Sequence, residues 1–106
     1  MSSQPQVSTA FQAFLSEAPG HAAAWMQAVQ ALDGASALDA KTGELAYLAV
    51  LAALRLEGGV PFHVKMAKAA GATREEVISA VLVGLPAAGN AVIQVLPAAL
   101  AAYDEE

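Results

Sequence analysis

The chain contains no cysteine. Disulfides, thiolate nucleophiles, thiolate metal sites and iron–sulfur clusters are therefore all excluded. The absence does not report a compartment, because a cysteine-free protein suits any redox environment. Charge is also scarce. Charged residues make up 14% of the 106, with five Lys/Arg against ten Asp/Glu and a formal net charge of −5. The few basic residues are scattered. Phosphate contacts need clustered Lys and Arg, so no nucleic-acid partner is expected. The opening "MSSQPQVSTAF" has no basic stretch leading into an apolar one. No secretory signal is expected, and the cytoplasm is the expected location. No segment reads as a β-strand.

Apolar residues make up 57% of the chain. The length fits one domain, residues 1–106, with one modest core. A soluble monomer of this size needs more polar cover, so the excess implies either membrane insertion or an oligomer. From Val77 to Tyr103 no residue carries a formal charge. Length alone would allow a membrane span. Ser79, Gly84, Pro86, Gly89, Asn90, Gln94 and Pro97 interrupt it, and no Lys/Arg cluster flanks it to orient it. A helix–break–helix hairpin buried at a homo-oligomer interface fits better, with no membrane partner.

The breakers cut the chain into about six helices, an all-α pattern. Residues 1–7 are polar and expected to be flexible. Ser8 or Thr9 caps a helix to about Ala18, with Phe11, Phe14 and Leu15 on one face. Pro19-Gly20 reads as a turn. A second helix runs from His21 to Leu32, and Gly34 suits a left-handed end. Asp39 caps a third helix to about Arg55, apolar nearly all round and so expected to be buried on most sides. Pro61 suits the first turn of a fourth, which ends at Gly71. Thr73 and Glu76 form a capping box for a fifth. Pro86 opens the last helix, and Pro97 inside it predicts a kink.

Two residues stand out on these helices. At about 100° per residue, His63 shares a face with Met66, Ala67 and Ala70, while Lys65 and Lys68 point the other way. It faces the core or a pocket. Glu44 is the only acid between Lys41 and Arg55, with Tyr47, Leu48 and Leu51 as wheel neighbours. Each has a plain structural explanation. His63 suits a core histidine bonded to a backbone carbonyl, and Glu44 suits a helix N-terminus with Lys41 three residues before it. Together they suggest more. A carboxylate and an imidazole on consecutive helices can meet as a proton-transfer pair. With His21 they could also supply a metal with two imidazoles and a carboxylate, but the spacing does not require one, and no metal or other cofactor is expected.

The segments "LDAKTGELAYLAV", "PFHVKMAKAAGATREEV" and "GLPAAGNAV" resemble the carboxymuconolactone decarboxylase family, which includes the AhpD-like alkylhydroperoxidases. The resemblance covers about residues 38–103. It implies an all-α fold and a homo-oligomer, commonly a trimer or hexamer, with neighbouring subunits sharing the core. Glu44 falls on the AhpD-like relay glutamate and His63 on the histidine. The two cysteine positions hold Leu56 and Gly59, so peroxidase chemistry through a dithiol has no thiolate to start it. The decarboxylase branch lacks the cysteine pair and lies closer. The resemblance therefore implies lyase-type acid–base chemistry by Glu44 and His63 on a small carbonyl or lactone ligand, with Tyr47 and Met66 lining the site. A polyanionic lactone would also need cations, from Arg55, Lys41 or a neighbouring subunit's arginine. The alternative is a non-catalytic binding or structural protein that kept the fold.

Overall fold

A computed structural model describes residues 8–105, and the expected flexibility of residues 1–7 lies outside them. Within these residues the chain is all-helical. It has α1 (Thr9–Glu17), α2 (Pro19–Ala35), α3 (Ala40–Leu54), a 3₁₀ turn (Glu57–Gly59), α4 (Val60–Ala69), α5 (Arg74–Leu82), single-turn α6 (Leu85–Ala88) and α7 (Asn90–Ile93), and α8 (Leu96–Asp104). Six of these are helices of nine residues or more.

The body is a four-helix arrangement. α3 packs on α4 and α5, and α8 closes the group against both. Its core is made almost entirely of small branched or methyl side chains. Leu48, Val60, Val64, Val77, Val81, Val92 and Val95 are fully buried, with Ala52, Ala67 and Ala99 among them. The charge-free stretch after Val77 supplies half of this core. It is not one helix: Gly89, at φ 62° and ψ −138°, separates α6 from α7 in a conformation open to glycine. No helix among the described residues is long and apolar enough to cross a membrane.

The capping signals act where the sequence places them. The Ser8 hydroxyl accepts the Phe11 N–H at 3.1 Å, and the Asp39 carboxylate accepts the Thr42 N–H at 2.7 Å. The Thr73–Glu76 capping box forms both of its reciprocal bonds, at 3.1 and 2.9 Å.

Several expectations are corrected. Pro19-Gly20 is not a turn outside a helix, because Pro19 opens α2, where its missing N–H costs nothing. Gly34 lies inside α2, which ends at Ala35 with Ser36 extended. Pro97 does not kink a helix; it sits in the first turn of α8. Pro86 opens only one turn, since Gly89 ends it. Within one chain α3 is not buried on most sides: Leu48, Leu51 and Ala52 enter the core, while Tyr47, Val50 and Leu54 are exposed.

α2 is open as well, with Trp25 54% and Leu32 69% exposed. α1 and α2 pack chiefly on each other, with the Phe11 and Phe14 rings 5.9 Å apart. The radius of gyration, 14.1 Å, exceeds the roughly 13 Å of a compact chain this long.

Candidate functional site

Three local signals set the site. Asp39 fixes where α3 begins, and so the helical phase of Glu44 and Tyr47. Arg55 ends α3 in the left-handed conformation, φ 59° and ψ 36°. The chain then doubles back through the 3₁₀ turn, and Pro61 in the first turn of α4 fixes the phase of His63. α4 returns along α3 with His63 opposite Glu44.

The two side chains meet within one chain. Glu44 Oε1 lies 2.9 Å from His63 Nδ1. Both are partly shielded, His63 at 25% and Glu44 at 26% side-chain exposure. With the carboxylate in its ionised form, which can only accept, Nδ1 carries the hydrogen and donates it. In the neutral ring Nε2 then holds a free lone pair, and it has no hydrogen-bond partner among the described residues. The expectation of a carbonyl-bonded core histidine is replaced by this carboxylate contact.

Aromatic rings hold the imidazole in place. The Tyr47 ring, one turn beyond Glu44, lies 4.4 Å from it at 51°, and the Phe62 ring meets it edge-on at 5.1 Å and 86°. Met66, one turn beyond His63, is exposed beside it. Phe62 was missed from sequence because it precedes His63 directly, and adjacent helical residues do not normally share a face. Large rings bridge that gap.

Lys41 does not pair with Glu44. Its ammonium donates to both Glu76 oxygens, at 3.2 and 3.0 Å. The Thr73 N–H and Lys41 together hold the Glu76 carboxyl below its ordinary range. Lys65 and Lys68 turn onto α8. Lys65 meets the Glu105 carboxylate at 2.8 Å, and Lys68 donates to the Tyr103 carbonyl at 2.7 Å while lying over its ring. Arg74 makes a two-bond fork to Asp104, at 2.9 and 3.0 Å, which depresses the Asp104 carboxyl.

The structure sets Arg55 apart from the pair. Its guanidinium donates to Gln94 Oε1 at 2.6 Å. It stands at the far end of α3, roughly 16 Å along the helix from Glu44 at 1.5 Å per residue. His21 is exposed on α2. Among the described residues no three His, Asp or Glu side chains gather as a metal site, so the set of His63, Glu44 and His21 is not assembled.

Comparison with known proteins places the chain in a family. The model of the carboxymuconolactone decarboxylase family matches residues 19–103. The match begins earlier than the sequence resemblance and takes in α2. Among solved structures, the chain is similar to the apo form of a carboxymuconolactone decarboxylase family protein from Legionella pneumophila. The two share 29% identity and a TM-score of 0.77, over 92% of this chain and 87% of that one. No curated protein matches.

Proposed function

The chain belongs to the carboxymuconolactone decarboxylase family, and from that premise we propose that Glu44 and His63 carry proton transfer on a small carbonyl or lactone compound, in a homo-oligomer working in the cytoplasm. The observation that supports this reading is the 2.9 Å contact from Glu44 to Nδ1, which leaves Nε2 as the open nitrogen. Glu44 fixes the tautomer. Nε2 takes a proton from the substrate, and the imidazolium so formed faces a carboxylate at hydrogen-bond distance. The same imidazolium can return the proton to carbon, which suits isomerisation or the last step of a decarboxylation. Tyr47, Phe62 and Met66 give the site apolar walls.

The oligomer is supported by the open apolar row of Tyr47, Val50 and Leu54 and by the exposed side of α2. A second copy covering these surfaces would supply the burial that one chain lacks. The trimer or hexamer expected from the resemblance is part of this proposal. A thiol peroxidase is not, since Leu56 and Gly59 stand where the cysteines would be. The sparse polar lining favours a second reading, a non-catalytic binding member.

The experiment is hydrogen–deuterium exchange at acidic C–H positions in a panel of lactones and ketones, followed by proton NMR in D₂O. The wild-type protein accelerates exchange in at least one compound. His63→Gln lowers the rate by about 10²- to 10⁴-fold, the usual contribution of a positioned base. Glu44→Gln lowers it less, because the amide oxygen still accepts from Nδ1–H but brings no charge. Equal rates in wild type and His63→Gln would leave the binding reading.

A further inference from the structure

We infer that the open side of the Glu44–His63 pair takes a neutral compound, an ester, lactone or ketone with an acidic C–H, and turns away carboxylate anions. This rests on the proton-transfer reading above and narrows its substrate class.

The chain has five Lys and Arg residues, and every one is engaged elsewhere. Lys41, the nearest in sequence to Glu44, is held by both oxygens of Glu76. Lys65 is held by Glu105, with a side chain only 13% exposed. Lys68 is bonded to the carbonyls of Tyr103 and Glu105 and rests on the Tyr103 ring. Arg74 is forked to Asp104. Arg55 has no carboxylate partner but is bonded to Gln94 at the other end of α3. Among the described residues of one chain, none is left to hold a substrate carboxylate beside the imidazole, and a second copy of the chain brings the same five, engaged in the same way.

What does stand there repels one. Glu44 lies behind the ring. A group reaching Nε2 sits roughly 7–8 Å from the Glu44 oxygen, on the far side of the imidazole. At that separation a unit negative charge is disfavoured about threefold in bulk water and about fortyfold at the effective dielectric of a partly shielded site. The rings of Tyr47 and Phe62 offer a neutral body an apolar surface instead.

The chemistry closes without a co-reactant. The C–H proton passes to Nε2, and its bonding pair stays on the substrate as an enolate. The imidazolium returns the proton to the same carbon, giving exchange or epimerisation, or, where the substrate carries a double bond conjugated with the enolate, to the far carbon of that dienolate, giving an isomer. Decarboxylation requires the substrate to bring a carboxylate, and this site provides no counter-charge for it.

The test is alkylation of the wild-type protein by two reagents that differ in charge, iodoacetamide and iodoacetate. The rate and the modified nitrogen of His63 are read by peptide mass spectrometry and NMR, with N-acetylhistidine methylamide as the reference. The expected result is alkylation at Nε2, with an amide-over-acetate rate ratio at least about threefold above the reference. A ratio equal to the reference, or a preference for iodoacetate, overturns the neutral class while leaving the proton-transfer reading intact. Failure of iodoacetamide to reach Nε2 removes the open base itself, and with it both proposals.

Discussion

Truncating Glu44 and His63 separately and together measures what their contact contributes. The contact is a 2.9 Å hydrogen bond between side chains about one quarter exposed. Fully exposed ion pairs contribute roughly 0.2–1 kcal/mol, and hydrogen bonds to charged groups in shielded places about 1.5–3 kcal/mol. The partial shielding puts the Glu44–His63 coupling between these, at about 1 kcal/mol. His63→Ala costs more than the coupling, because the imidazole also packs on two rings, and each aromatic pair adds about 0.5–1.5 kcal/mol beyond its buried area. Glu44→Ala costs about the coupling alone. The assay is urea unfolding followed by circular dichroism at one protein concentration for all four proteins. With urea slopes of about 1–3 kcal/mol per molar, the coupling corresponds to a midpoint displacement of roughly 0.3–1 M. A double-mutant coupling below about 0.3 kcal/mol would refute the reasoning, since the two groups would then be neighbours without interaction.

Thr73→Ala removes the cap of α5 and destabilises the protein by about 1 kcal/mol, read in the same urea assay. Light scattering finds an oligomer in the wild type, and Val50→Glu with Leu54→Glu returns a folded monomer; a monomeric wild type would contradict the packing account. Glu76 and Asp104 have carboxyls depressed by their partners in the fold. Their stabilisation is therefore present above the ordinary carboxyl range and is lost as pH falls through the depressed values. Thermal unfolding between pH 6 and pH 2 should show Tm falling below about pH 4, and less steeply in Asp104→Asn.

Much of this fold is legible in local chemistry. Asp39, Thr73 and Glu76 announce helix starts because capping is settled within four residues. The prolines misled because proline has two meanings, helix opener and helix breaker, and only the neighbouring backbone chooses between them. Pro19 and Pro97 both open helices. A helical wheel overstates the burial of α3 within one chain, because it shows which residues are apolar but not how many partners that chain supplies. Val50 and Leu54 are as apolar as Leu48, yet nothing in their own chain covers them to the same degree.

The site divides in the same way. Glu44 and His63 were legible because each is a polar residue on an apolar helix face, and consecutive helices bring such faces together. Lys41 was not, since its partner Glu76 lies 35 residues away. Arg55 is a candidate substrate cation because a polyanionic lactone would need one, while the turn after α3 carries it to Gln94. Long-range side-chain pairings of this kind depend on helix packing that no local pattern encodes.

The central claim is that Glu44 holds the Nδ1–H tautomer of His63 and leaves Nε2 free. Nitrogen-15 NMR of the histidine side chains, recorded at alkaline pH where the ring is neutral, tests it directly. The expected spectrum shows a protonated Nδ1 and an unprotonated Nε2 for His63, with the preference weakened in Glu44→Ala. A His63 ring carrying its hydrogen on Nε2 in the wild-type protein would contradict it.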